Sequence, residues 1–328
     1  MTISAVHRTL VSTMLSIMAA TAVNAANAQT IEWTAGQLGG GWYTIVAGVS
    51  KLLEEKVPGM TVKAVPGGGA ANPSKVQNGQ SQLGMSIDIF AKMALEGAGS
   101  YAGKPHAKLM MIGQSLGDTP YHMIRAADAK LGFDEVFDSK DVKIGVVKSG
   151  ATDEIAFRWV MEHYGQSYDK LRARGYKFVQ GDYSELANAF KDRQVDYVFF
   201  AQGLPGASVI DMSTSRDAQL LDFPKKLTDA IFAKYGMGTG RIPAATYPKY
   251  QSKDVTVMSM ATTLITSSDV SEDVVYKVTK ALCESQSSLP TVHASLKDFD
   301  CKTAIEVRPV PVHPGAMKYY QERGWVKG

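Results

Sequence analysis

The feature that most constrains this chain is a junction that occurs three times: a short apolar strand, a glycine-rich turn and the start of a helix. At the first, residues 31–35 run into Gly36-Gln37-Leu38-Gly39-Gly40-Gly41, and Trp42-Tyr43 opens the helix. At the second, residues 62–65 lead into Pro66-Gly67-Gly68-Gly69-Ala70-Ala71-Asn72-Pro73. At the third, residues 142–147 lead into Lys148-Ser149-Gly150-Ala151-Thr152. Glycine turns tightly and leaves the amides unshielded. A helix that begins there offers unpaired N–H groups and the positive end of its dipole. Such an end is a ready place for an anion such as a carboxylate. The expectation is a chain that points several helix starts at one small ligand.

The periodicity between the junctions fixes the fold class. Ile45, Val46, Val49, Leu52 and Leu53 fall on one face at helical spacing, and Pro58-Gly59 stops that helix. Asn72 reads as an N-cap with Pro73 at the first helical position. Residues 82–89 read as a strand ending at Asp88, followed by a short helix over 90–96. Strand–helix–strand–helix–strand order implies parallel strands with crossover helices. Residues 108–115 and 121–125 are extended pieces around Gly117-Asp118-Thr119-Pro120, where the chain is expected to cross into a second lobe.

The second lobe repeats the pattern. A helix is expected from Thr152 to about Tyr164, with Ile155, Trp159 and Val160 on its inner face. A strand over 176–179 and a helix over 184–192 follow. The nearly all-apolar run 195–201 suits a strand buried on both faces of a sheet. Gln202-Gly203-Leu204-Pro205-Gly206 then leads to a helix start near Ala207. Residues 254–266 are a long extended run that returns to the first lobe. An amphipathic helix over 272–284 and a short helix bracketed by Pro314 and Gly324 close the chain. The expected lobes are 29–119 with 262–328, and 120–261. In an α/β sheet ligands sit outside the C-terminal strand ends, so two such lobes place the site in the cleft between them.

Composition narrows the function. Lys and Arg number 35 against 32 Asp and Glu, a net charge of +3, and no basic block stands out. That argues against nucleic acid. His7 and Arg8 followed by the small and apolar run 11–22, then Ala26-Asn27-Ala28, fit a secretory signal over 1–28. The run is too short for a membrane span, and no later stretch is long enough either. The mature chain is therefore expected to begin at Gln29, to carry no membrane insertion and to work in the periplasm. Export places Cys283 and Cys301 in an oxidising compartment where they can bridge, closing a loop for roughly 3 kcal/mol. No cofactor, metal or catalytic residue is expected. The six histidines lack metal spacing, and neither a Gly-x-Ser-x-Gly elbow nor a Gly-Lys-Ser/Thr phosphate loop occurs.

The order of these motifs resembles a known family. Gly40-Gly41-Trp42-Tyr43, the turn before Asn72, Asp88, Ser149-Gly150-Ala151-Thr152, Gln202-Gly203-Leu204-Pro205 and the tail with His313-Pro314-Gly315-Ala316 and Tyr319-Tyr320 are similar to those of TAXI solute receptors. Those are the periplasmic binding proteins of tripartite ATP-independent (TRAP) transporters. The resemblance implies a type II periplasmic-binding-protein fold, capture of a small carboxylate or amino acid, delivery to TRAP membrane subunits, and a monomer. It departs at Gly69, Ala71 and Asn72, where the family usually carries a serine and a Glu-Asn pair, and at Ala151, where a glycine is usual. Those departures bear on which acid is bound.

The expected ligand contacts are Gly40, Gly41, Trp42, Tyr43, Gly69, Ala70, Asn72, Asp88, Ser149, Gly150, Thr152 and Gln202. Several have a structural alternative. Trp42 and Tyr43 can be core residues, although a Tyr hydroxyl beside an anion site is a donor. Ser149 and Thr152 can cap their helix, and Asp88 can cap the next one. Arg125 is either a carboxylate partner or an ordinary exposed arginine. His122 and His313 read as structural. Rival functions are a receptor for an ABC importer or sensor kinase, and a transferase on the same two-lobe fold.

Overall fold

The computed structural model describes residues 29–117 and 119–326. The expected signal segment 1–28 and Asp118 of the expected crossing lie outside the described residues.

Two sheets carry the chain. Among the described residues, the first contains β1 (Gln29–Thr34), β2 (Met60–Val65), β3 (Leu83–Ile87), β4 (Leu109–Gln114) and β12 (Thr262–Ser267), in the order β2-β1-β3-β12-β4. β1 runs parallel to β2 and β3, with Ile31 opposite Val62 and Trp33 opposite Leu83. β12 is antiparallel to both its neighbours. The second sheet contains β5 (Thr119–Ala126), β6 (Lys143–Val147), β7 (Lys177–Gly181), β8 (Tyr197–Ala201), β9 (Ala218–Leu220), β10 (Gly238–Ile242) and β11 (Val255–Met260). Its order is β10-β11-β5-β8-β6-β7, with β9 paired to β5. β8 is buried at every position, as its apolar run requires. The first sheet thus takes strands from both ends of the described chain and the second from the middle. This is the α/β two-lobe architecture expected from the junctions.

The extended run 254–266 is two strands, one in each sheet, broken at Ala261. That break and the segment between β4 and β5 lie side by side. The Ser115 N–H donates to Thr262 O at 2.7 Å, and the Thr262 hydroxyl donates to Gly117 O at 2.6 Å. Hydrogen bonding between the two crossings ties the lobes together there.

The fold decides several local expectations, some of them as corrections. Asn72 is the first residue of the Asn72–Gln77 helix, not its cap, and its side chain points inward. Ala151 precedes the Thr152–His163 helix, and neither Ser149 nor Thr152 caps it. On that helix the buried apolar face is Ala156, Phe157, Val160 and Met161. Ile155 and Trp159 are only half-buried; Trp159 stacks on Tyr235 of its own lobe at 4.1 Å and on Phe90 of the other lobe at 5.7 Å. Arg125 donates to the carbonyls of Lys130 and Leu131 and to the Gln219 side chain, not to a carboxylate. His122 is fully buried between Pro120 O and the Tyr247 hydroxyl, and burial pushes its pKa down to about 3. His313 caps the Pro314–Glu322 helix by accepting from the Gly315 N–H.

Cys283, at the end of the Glu272–Glu284 helix, is bonded to Cys301 across a separation of 18 residues, with Cα atoms 5.6 Å apart. Free-thiol titration of the unfolded, unreduced protein is therefore expected to find none. Reduction is expected to lower stability by about 2–3 kcal/mol through the loop it opens. Denaturant unfolding with and without reductant measures that difference; coincident curves would mean the bond does not constrain the chain.

Candidate functional site

The three glycine-rich junctions border one cleft of about 290 Å³ between the lobes. From the first sheet's side come Gly36, Gln37, Gly40, Gly41, Trp42, Gly67, Gly68, Gly69, Ala71 and Ile87. From the second sheet's side come Ser149 to Asp153, Tyr183, Ala201, Gln202 and Gly203, with Thr119 at the crossing. A strand must end before its crossover helix can start, so the turns gather at the strand ends and the helix starts face the space beyond them.

Each junction leaves amides for that space. In the Gly41–Lys56 helix the bonds begin with the Tyr43 and Thr44 N–H groups on Gly40 O, at 3.1 and 3.3 Å. The N–H groups of Gly41 and Trp42 precede them. In the Thr152–His163 helix the first bond runs from the Ile155 N–H to Ala151 O at 3.0 Å, so the Thr152 and Asp153 N–H groups precede it. In the middle turn the Gly68 N–H is held by Asn72 Oδ1 and the Ala70 N–H by Thr152 Oγ1, both at 2.9 Å. The Gly69 N–H between them is bonded to nothing among the described residues. The Ala70–Thr152 bond spans the lobes and holds the cleft narrow.

The expected contacts divide accordingly. Gly40, Gly41, Trp42, Gly69, Ser149, Gly150, Thr152 and Gln202 border the cleft. Tyr43, Ala70, Asn72 and Asp88 do not. Tyr43 follows Trp42 in a helix that turns about 100° per residue, so its side chain leaves in another direction. Ala70 is buried behind Gly69, its N–H on Thr152 and its carbonyl accepting from the Tyr101 hydroxyl. Asn72 is fully buried and binds the backbone around it. Asp88 opens the Asp88–Glu96 helix, where its Oδ1 accepts from the Ile89 N–H at 2.8 Å. Within the cleft wall, Gln202 is engaged at the start of the Ala207–Met212 helix, donating to Ser208 Oγ and accepting from the Ser208 N–H.

Sequence reasoning missed Asp153 and Tyr183. Asp153 is 5 % exposed; its Oδ2 accepts from the Tyr183 hydroxyl at 3.0 Å and the Ala201 N–H at 3.1 Å. Burial pushes its pKa up to about 6, and those two hydrogen bonds pull the other way. Its place beside Thr152 in the first helical turn is the one local hint, and it is shared by any acid that complements a helix dipole. Lys148, the basic residue of the third loop, pairs outside the cleft with Glu185 at 3.1 Å. At the lip, the His293 ring lies against Gly41 on one side and Gly203 on the other. Among the described residues no group of three His, Cys, Asp or Glu side chains is placed to hold a metal ion, and no helix is long and apolar enough to cross a membrane.

Solved structures share this architecture. The periplasmic binding protein BugD aligns over 90% of this chain and 95% of its own, with a TM-score of 0.54 and 13% identity. MatC from Rhodopseudomonas palustris, with bound malate, aligns over 90% of this chain and 97% of its own, with a TM-score of 0.54 and 13% identity. A protein from Bordetella bronchiseptica RB50 aligns over 90% and 98%, with a TM-score of 0.52 and 12% identity. At these identities the likeness speaks to the fold: the two-lobe α/β fold of type II periplasmic binding proteins, with its cleft between the lobes. The sequence itself matches the family model across residues 33–324, and the protein belongs to the NMT1-like family.

Proposed function

We propose that this protein is an extracytoplasmic solute receptor of TAXI type, which captures a small organic acid between its lobes and delivers it to a TRAP-type membrane transporter. The observation that carries capture is the single cleft bordered by all three strand–turn–helix junctions, with amides at Gly41, Trp42, Gly69, Thr152 and Asp153 available to it. Donors fixed in a folded backbone hold a carboxylate without reorganisation, and the starts of the two longer helices add a favourable field. No lysine or arginine borders the cleft among the described residues, so neutral donors do the holding. MatC, on the same fold, holds malate, which supports a carboxylate as the ligand class. The ordered turns and the C-terminal tail support the TAXI assignment. The basic start, apolar run and Ala-x-Ala end support export of a chain starting at Gln29, divided into lobes 29–119 with 262–328 and 120–261.

A thermal-shift screen of small organic acids and amino acids on the mature protein tests capture. A binder at 100 times its Kd should stabilise the fold by about 2.7 kcal/mol, a shift of a few degrees for a chain of this size. A screen in which neither class shifts the transition would remove the receptor reading.

A further inference from the structure

Asp153 is the one charged side chain among the described residues bordering the cleft. Both hydrogen bonds it receives fall on Oδ2. Among the described residues none falls on Oδ1, and no cation is near enough to pair with it. Arg158 is committed to Glu154 at 2.7 Å and Lys148 to Glu185. The titratable groups facing Asp153 from neighbouring elements are the phenols of Tyr183, just after β7, and Tyr121, on β5. Burial, reinforced by the Asp153 charge, holds both far above the ordinary tyrosine range, so they stay neutral. The Tyr121 hydroxyl is itself buried with no partner among the described residues.

A buried carboxylate of this kind is costly without a cation. Two accepted hydrogen bonds and a place in the first turn of a helix nevertheless favour its charged form. A ligand that carries only a carboxylate adds a second negative charge to the same closed space. A ligand that also carries an ammonium group removes the conflict. Resting on the receptor reading above, we propose that Asp153 is the specificity-determining residue of the cleft, selecting acids that present an amine beside the carboxylate. The amine pairs with the Asp153 carboxylate while the helix starts hold the ligand's own carboxylate.

The sign of the pH dependence separates the two ligand classes. Lowering the pH through about 6 protonates Asp153 in the empty protein. An ammonium group then loses its partner, so capture of an amino acid weakens. A plain anion loses its repulsion, so its capture strengthens. His293 at the lip also titrates, with burial holding it below the usual histidine range, so an Asp153 variant is the necessary control.

The experiment uses pairs matched in carbon skeleton: alanine and lactate, aspartate and malate, glutamate and 2-hydroxyglutarate, leucine and its 2-hydroxy analogue. Binding is measured by calorimetry above and below that pH, on the wild type and on Asp153→Asn. The amide keeps an acceptor for Tyr183 and Ala201, and the melt without ligand reports folding. In the pair that binds, the amino member should be tighter by about tenfold or more, as a charge-assisted hydrogen bond requires. Asp153→Asn should erase that preference and the amino member's pH dependence. A hydroxy member that binds tighter, a preference that survives in Asp153→Asn, or amino-acid affinity that rises at low pH would each overturn the proposal. If plain acids bind and amino acids do not, this inference fails and the receptor reading stands; if neither binds, both fail.

Discussion

Replacing Asn72 by Ala is expected to destabilise the protein by about 4 kcal/mol, near the upper end for a single substitution. Asn72 is fully buried and uses both ends of its amide. Oδ1 accepts from the Thr34 hydroxyl and the Gly68 N–H, each at 2.9 Å. Nδ2 donates to Ala35 O and Met85 O, each at 2.7 Å, and to Thr34 O at 3.3 Å. One side chain therefore ties the end of β1, the second glycine-rich turn and β3 together. Alanine leaves several of those groups buried and unpaired, at about 1–3 kcal/mol each before relaxation and entering water reduce the sum. Asn72→Asp should be no better, because it turns an oxygen toward Ala35 O and Met85 O where an NH₂ now donates. Gly67 packs so closely here that an added Cβ would lie 2.2 Å from Asn72 Oδ1, so little room remains for repacking. Urea unfolding of the variants measures the loss, and a change below about 1 kcal/mol would mean that the network is dispensable. Ligand capture should fall further than stability alone explains, since Gly68, Gly69 and Ala70 lose the anchor that shapes their turn.

How much of this was legible beforehand differs by scale. The three junctions, the two crossings and nearly every strand named in advance come from short-range signals, apolar runs punctuated by glycine and proline, and those survive folding. Asn72 shows where such signals stop. Asparagine before proline has the local pattern of a cap, yet the residues it binds lie 38 positions back and 13 ahead, in strands that meet it only in the folded lobe. Ile155 and Trp159 mark a second limit. Helical spacing identifies an apolar stripe but not which body covers it, and here Trp159 reaches across to Phe90 of the other lobe.

The site was legible as backbone more than as side chains. Glycine-rich turns advertise exposed amides wherever they occur, so the sequence points all three junctions at one place, and all three border the one cleft. Side-chain direction is set by helical phase, and a one-residue step separates Trp42, on the cleft, from Tyr43, off it. Asp153 was hidden for the opposite reason. An acidic residue in a first helical turn is so ordinary a way to complement the dipole that nothing local marks it as buried. Only the fold, by placing Tyr183 and the end of β8 over it, makes it the charged wall of a neutral cleft.

Gly69→Val should leave the unliganded protein folded and weaken capture by roughly thirtyfold to a thousandfold. Gly69 sits at the middle junction with its N–H unbonded and its carbonyl accepting from the Ser86 hydroxyl at 2.9 Å. Its backbone does not need a left-handed conformation, so a side chain meets no intrinsic strain. What an added Cβ meets is Thr152 Oγ1 at 3.0 Å, from the other lobe, and the Ile87 side chain at 3.3 Å. The Ile87 side chain has room to give once the lobes part. The Thr152 contact exists only when they are together, because it lies beside the Ala70–Thr152 hydrogen bond that joins them. Valine therefore acts as a wedge whose cost falls on the closed state. Overpacking accounts for about 1–3 kcal/mol and the displaced hydrogen bond for about another 1, together about 2–4 kcal/mol, or roughly thirtyfold to a thousandfold in affinity. A receptor that must close on its ligand loses affinity by the free energy added to closure. Gly69→Ala, with one carbon in the same place, should show a smaller loss in the same direction. Calorimetry with a ligand found by screening, together with a melt of the empty variant, separates the two states. An empty variant that is itself destabilised by several kcal/mol would locate the clash within the lobe. Unchanged affinity would mean that capture does not require the lobes to approach as closely as they do here.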